Sequence, residues 1–331
     1  MSRIHFIAIA FVSTFALSPV AAEEEEAPPL GLVAVEHPES NPFTEAKRAL
    51  GEKLFFDKLL SRDGSVSCAS CHKPDEAFAQ RGVARAQGVD GKGGRRNVPS
   101  LLNVAFAKQL FFDGRSESLE DQAWQPILAD DEMGNASEED VLERLRASEA
   151  YRDHFQRAFG KAQMNKETVA NALACFQRTL LSGDSAFDRW NNAGEATLSK
   201  EAEEGYRLFI GRAQCWQCHP LNSESALLMT DDSFHKTGVP KNAASPDLGR
   251  FEATENPIDR LLFKTPSLRN VALTPPYMHD GSISTLREVL EFYNVAEGEG
   301  ELLPLQLGED EIGALIAFLE SFTGEAAKAT F

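Results

Sequence analysis

Apolar residues recur at three- and four-residue steps along most of the chain, the spacing that gathers them on one face of an α-helix. EDVLERLRASEAYRDHFQRAF (139–159), KETVANALACFQRTLL (166–181) and EDEIGALIAFLESF (309–322) carry the pattern. In the last, Ile312, Leu315, Ile316 and Leu319 share one stripe. TPPYMHDGSISTLREVLEFYN (274–294) reads as a turn and then a helix. Thr285 and Glu288 fit a capping box at its start. Leu286, Val289, Leu290 and Tyr293 form its apolar face, so Tyr293 points inward, where a phenol needs a partner. No segment alternates with the period of two that marks strands. The chain is predicted to be mainly α.

The pattern also repeats. GEKLF (51–55) returns as GYRLF (205–209), and PSLLNVA (99–105) as PSLRNVA (266–272). Carried on without gaps, the second match sets Asp113-Gly114 on Asp280-Gly281 and Leu119 on Leu286. Such self-similarity implies a duplicated plan. Two small helical, cytochrome c-like lobes are expected, over 43–192 and 193–331. The boundary falls where FDRWNNAGEATLS (187–199) passes from helix to turn residues. Ahead of them, 1–22 has the basic start, apolar run and Val-Ala-Ala ending of a cleaved signal peptide, which predicts export to the periplasm. Residues 23–42 then read as a flexible leader, opening on EEEEAPPLG. No later segment has the run of apolar residues needed to span a membrane.

Hydrophobic residues at 42% and charged residues at 25% are the balance of a globular protein. Acidic residues number 51 against 33 lysines and arginines, a formal net charge of −18. That charge argues against nucleic acid and anionic membranes as partners. Four of the five cysteines lie in two C-x-x-C-H motifs, CASCH (68–72) and CWQCH (215–219). This is the attachment pattern of c-type haem. Two covalent haems are therefore expected. Cys68 and Cys71, and likewise Cys215 and Cys218, would form the thioethers, with His72 and His219 ligating the irons. A zinc site fits poorly, because each histidine directly follows the second cysteine. Cys175, inside an apolar helical pattern, reads as a small core residue.

The repeat makes the two sites unequal. Tyr293 aligns with Pro126 and His279 with Phe112, and neither proline nor phenylalanine binds iron. No histidine lies between His72 and His154 to replace them. One iron closed by the protein and one left open is the pattern of a catalyst fed by a relay. It points to an enzyme that consumes an oxidant. At the second site Met278 competes with Tyr293 as sixth ligand, since thioethers are common in cytochromes.

LGEKLFFDKLLSRDGSVSCASCH (50–72), RNVPSLLNVA (96–105), FFDGRSESLEDQA (111–123) and PYMHDGS (276–282) together resemble the bacterial dihaem cytochrome c peroxidase and MauG superfamily. The resemblance spans nearly all of the chain after residue 50. It implies a peroxide-reactive haem in the N-terminal lobe and an electron-transfer haem in the C-terminal lobe. Hydrogen peroxide would be the substrate, with a small cytochrome or copper protein as donor. In the MauG branch the partner is instead a protein substrate, one residue of which is oxidised. A distal glutamine maps to Gln122 and a distal glutamate to Glu132. The carboxylate would carry a proton between the two peroxide oxygens, and the amide would hold the peroxide. A Ca²⁺ between the lobes maps to the Asn97 side chain and the carbonyls of Thr274 and Pro276, oxygen ligands that suit this ion.

Three positions depart from the peroxidase pattern. Val89 stands where enzymes that need reductive activation carry a blocking histidine, so the first iron should be open at rest. Tyr293 replaces the usual methionine, as in the MauG branch, and a phenolate would lower that haem's potential. Phe112 replaces the tryptophan between the haems, for which Trp124 is a candidate substitute. His279 is expected near the propionates. The reading from another class is a dihaem electron carrier without catalysis.

Overall fold

The structure, a computed structural model, describes residues 27–160, 164–221, 227–239, 247–295 and 300–326. The expected signal peptide lies outside the described residues. The helices, in chain order, are α1 (Glu45–Phe56), α2 (Cys68–Cys71), α3 (Leu119–Gln122), α4 (Trp124–Leu128), α5 (Glu138–Ala147) and α6 (Glu149–Phe159). They continue with α7 (Lys166–Arg178), α8 (Ala186–Ala193), α9 (Lys200–Ile210), α10 (Phe251–Thr254), α11 (Leu286–Val295) and α12 (Glu309–Glu320). Strands are confined, among the described residues, to two antiparallel pairs: β1 (Ser182–Gly183) with β4 (Glu325–Ala326), and β2 (Phe234–His235) with β3 (Phe263–Lys264). The fold is mainly α, as the periodicity predicts.

The repeat is visible in how the helices meet. Helix α1 crosses α7 at Gly51, where an added Cβ would overlap the Ala172 carbonyl and crowd Phe176. Helix α9 crosses α12 at Gly205, where it would overlap the Ala314 carbonyl and crowd Phe318. Glycine therefore allows both backbones their close approach. Around the crossings lie two main clusters of buried residues. One includes Leu50, Leu54, Phe55, Val169, Leu173 and Phe176, and the other Phe209, Ile312, Leu315, Phe318 and Phe322. A fully buried side chain of this kind contributes about 1.5–3 kcal/mol over the exposed state. Phe187 on α8 belongs to the second cluster, edge-on to Phe322 at 5.1 Å.

The matched turns agree in backbone conformation. Asn103 and Asn270 are left-handed, with φ 62° and 59°, and each opens a 3₁₀ turn. Phe111 and Met278 are left-handed too, at 65° and 71°. The bridges Leu110–Ser116 and Tyr277–Ile283 close the following loops.

Two details differ from the sequence reading. The apolar pattern over 139–159 is not one helix. Ser148 is extended (φ −87°, ψ 113°), its N–H closes on Leu145, and α6 starts afresh. The described part of the expected flexible leader is also held to the fold. Leu30 O accepts from Asp184 N at 2.9 Å, and Gly31 O from Arg269 Nη2 at 2.8 Å. Leu32 and Asn41 are buried. Apolar Leu30 and Leu32 dock here, with the Leu30 and Gly31 carbonyls bonded to the fold.

Candidate functional site

Each C-x-x-C-H motif folds as one tight turn that returns its histidine over the first cysteine. His72 N–H donates to Cys68 O, and His219 N–H to Cys215 O, both at 2.9 Å. The imidazoles are aimed by matching bonds, from Nδ1 to Phe78 O at 3.0 Å and to Met229 O at 2.9 Å. A ring fixed through Nδ1 presents Nε2, as metal-binding histidines do. Burial lowers the basicity of both rings and keeps them neutral, the ligating form.

Cys68, His72, Cys215, His219 and Tyr293 are each deep within protein, yet each keeps some solvent-accessible surface. All four thiols of the motifs are free. Burial pushes Cys68 and Cys215 up to about 12 and Cys71 up to about 11, so they are poor free nucleophiles. Among the described residues neither motif gathers its own two sulfurs and imidazole as a zinc set. The donors fit a covalently attached haem.

On the first side, Gln122 ends α3 and Glu132 sits on the turn that follows α4. Neither the Gln122 amide nor the Glu132 carboxyl has a hydrogen-bond partner among the described residues. Glu132 is exposed at the surface, although protein atoms crowd round its carboxyl. Burial pushes it up to about 7, Asp131 adds to the rise, and Arg115 opposes it. Val89 is fully buried, and its N–H donates to Glu132 O at 2.8 Å. Beside it, a Cβ on Gly88 would strike the Asp131 and Glu132 carbonyls, so this loop is seated on the Glu132 turn. Trp124 is buried in the first core, its indole N–H donating to Lys166 O at 2.9 Å.

On the second side the two competing ligands meet. Tyr293 Oη lies 3.9 Å from Met278 Sδ. Burial, followed by the neighbouring Cys215 and Cys218, pushes the phenol up to about 12. The capping box that aims this helix is present: Glu288 N–H donates to Thr285 Oγ1 at 3.2 Å, and Thr285 N–H to Glu288 Oε2 at 2.9 Å. His279 stacks on Phe263 with ring centres 3.7 Å apart, and its buried Nε2 has no partner. A propionate oxygen would satisfy it. The carbonyl of Phe112 accepts from Lys264 N at 2.7 Å.

The residues mapped to calcium lie along one seam. Asn97 N–H donates to His279 O at 2.7 Å, and Gly82 N–H to Pro275 O at 2.9 Å. The carbonyls of Thr274 and Pro276, either side of that bonded one, accept no hydrogen bond among the described residues, nor does Asn97 Oδ1. Free oxygens of this kind suit a hard cation.

One group escaped the motif reading. Arg115 stands beside the first site with its guanidinium over the Phe111 ring, 3.4 Å from the centroid. The signal was in the repeat, because its counterpart is the uncharged Ser282.

Residues 45–197 match the family described as di-haem cytochrome c peroxidase. The chain is 43% identical over 306 residues to methylamine utilization protein MauG of Methylorubrum extorquens, covering 90% of this chain and 84% of the relative. It is 33% identical over 325 residues to cytochrome c551 peroxidase of Nitrosomonas europaea, covering 97% and 91%. Among solved structures, a MauG-like protein associated with microbial copper homeostasis superposes with a TM-score of 0.81 at 31% identity, covering 92% and 96%. The chain belongs to the dihaem cytochrome c peroxidase and MauG family of oxidoreductases. Among the described residues, no helix is long and apolar enough to cross a membrane.

Proposed function

We propose that this chain is an exported, periplasmic dihaem peroxidase of the MauG-like branch. It reduces hydrogen peroxide at the N-terminal site with electrons passed through the C-terminal one. The observation that supports this reading is the inequality of two otherwise matched sites. Tyr293 and Met278 converge at the second, while the first offers Pro126, Gln122 and Glu132.

The haems, attached at Cys68/Cys71 and Cys215/Cys218 with His72 and His219 as proximal ligands, supply the redox chemistry when bound. The remaining work falls to side chains. Gln122 holds peroxide through its amide. Glu132, titrating near neutrality, takes a proton from one peroxide oxygen and returns it to the departing one. Val89, apolar and buried, leaves the first site unblocked. Asn97, Thr274 and Pro276 hold a Ca²⁺ between the two sites. Its removal by exhaustive chelation is expected to perturb the spectra of both haems and lower activity, with recovery on adding Ca²⁺. Metal analysis that finds no calcium before chelation would remove the site.

A second reading, oxidation of a residue on a partner protein, is favoured by Tyr293 and by the likeness to MauG. Mixing the fully ferric protein with peroxide and reduced cytochrome c separates the readings. A peroxidase oxidises the donor in proportion to the peroxide added. A MauG-type enzyme consumes peroxide with little donor turnover. A carrier consumes none.

A further inference from the structure

Three polar groups around the first site end in atoms without a hydrogen-bond partner among the described residues: the Gln122 amide, the Glu132 carboxyl and Nη2 of Arg115. The third is held rigidly. Its Nε donates to Gln125 Oε1 at 2.7 Å, and its Nη1 to Asp113 Oδ1 and Oδ2 at 3.1 and 2.9 Å. Asp113 is buried and also accepts from Arg96 Nη1 at 2.5 Å. Gln125 is fixed in turn, donating to Ser116 Oγ and, at 3.3 Å, to Asp121 Oδ2. An arginine fixed in one geometry gives up much rotamer entropy. A side chain serving only solubility has no cause to give it up.

The repeat says where this guanidinium stands. Phe111, on which it stacks, occupies the place of Met278, in the same left-handed turn. Met278 Sδ faces Tyr293 Oη at the second site. Phe111 therefore faces the first site, with Arg115 at its edge. Gln125, which clamps Arg115, lies in α4, just past the end of α3 where Gln122 sits.

We propose that Arg115 is a positioning residue of the peroxide site, its fixed guanidinium setting the charge on Glu132 while Asp113 and Gln125 set the guanidinium. The proposal rests on the peroxidase reading above. The groups facing Glu132 from each side support it. Asp131, on its own turn, raises its proton affinity, and Arg115 lowers it. Arg62, near Gly134, is paired with Asp90 at 2.5 Å. Cys68 and Cys71 of α2, thioethers in the haem-loaded protein, bring no charge. Val89 brings no charge. Among the described residues Arg115 is therefore the cation that acts on this carboxyl, and its partner Asp113 is shared with a second guanidinium group.

The test is an infrared pH titration of the haem-loaded protein, with the Glu132 carboxyl band assigned by its loss in Glu132→Gln. Arg115→Gln and Arg115→Met, the second keeping an apolar stem on Phe111, are expected to move the midpoint upward by about one pH unit. Arg115→Lys should stay near wild type. The pH profile of peroxide consumption should shift the same way. A midpoint that stays put in both neutral variants would overturn the proposal, as would a rate that drops equally at every pH, and Arg115 would then only brace the turn. Because the infrared midpoint needs no turnover, a protein that consumes no peroxide while its midpoint still moves refutes the peroxidase reading and leaves the coupling of Arg115 to Glu132 intact.

Discussion

Changing Glu132 to glutamine should slow peroxide consumption by about 10² to 10⁴, the usual contribution of a positioned acid–base group. The substitution keeps size and hydrogen-bonding shape and removes only the ability to exchange a proton. Little of the fold depends on it, because the carboxyl has no partner among the described residues. Its backbone is the anchored part, accepting from Val89 N and donating to Ala129 O at 3.1 Å. With the group pushed up to about 7 by burial, both protonation forms are populated near neutrality. The ionised form takes the first proton, so the wild-type rate should rise as pH rises through that value and fall below it. Glu132→Gln should lose this pH dependence together with the rate. Stopped-flow mixing across the pH range measures both, and a variant as fast as wild type would return Glu132 to the role of a solvated acid.

The second large effect is expected at Tyr293. Its phenol is buried and pushed up to about 12, so without a cation beside it the group stays neutral. A metal ion draws off such a proton, as it does from a bound thiol. The resulting phenolate would hold the second haem at low potential. Tyr293→Met substitutes a thioether and should raise that potential by on the order of 0.1 V or more, within the roughly 0.8 V that axial ligands span. The peroxide reaction of the ferric protein should weaken as the potential rises. Potentiometric titration followed at the second haem's bands reads the effect without any turnover. If neither potential nor spectrum changes, the ligand is Met278 or water and Tyr293 is a core residue.

What could be read from the sequence follows contact range. The C-x-x-C-H turns are contiguous, so their chemistry was on the page, and the internal repeat gave the inequality of the two sites. The stripe that turned Tyr293 inward is a local rule of helix geometry, and it holds. The competition between Tyr293 and Met278 stayed open because their 3.9 Å approach depends on how a left-handed turn returns toward α11. Arg115 was hidden for a similar reason. Its clamp joins Asp113, Phe111 and Gln125, and no spacing rule announces that set. Nor does the break at Ser148 carry a glycine or proline to mark it. The docking of Leu30 and Gly31 depends on Asp184 and Arg269, far along the chain.

Arg96 joins the halves in a way that bears on how turnover should respond to ionic strength. Its guanidinium bonds Asp113 on one side and Asp247 on the other, at 2.5 and 2.7 Å, with the three side chains only 14%, 5% and 11% exposed. Mobile ions screen exposed charges over about 8 Å at physiological strength but reach buried pairs far less. Added salt should loosen the neighbouring Arg95–Glu252 pair, whose arginine is 58% exposed, before it touches Arg96. This buried charge cluster is thus insulated from the medium. At a net charge of −18, the chain would meet a charged donor through its outer field, which salt does weaken. On the proposed function, a rate of donor oxidation that falls with salt would therefore report the encounter between proteins, with this buried cluster left as it was.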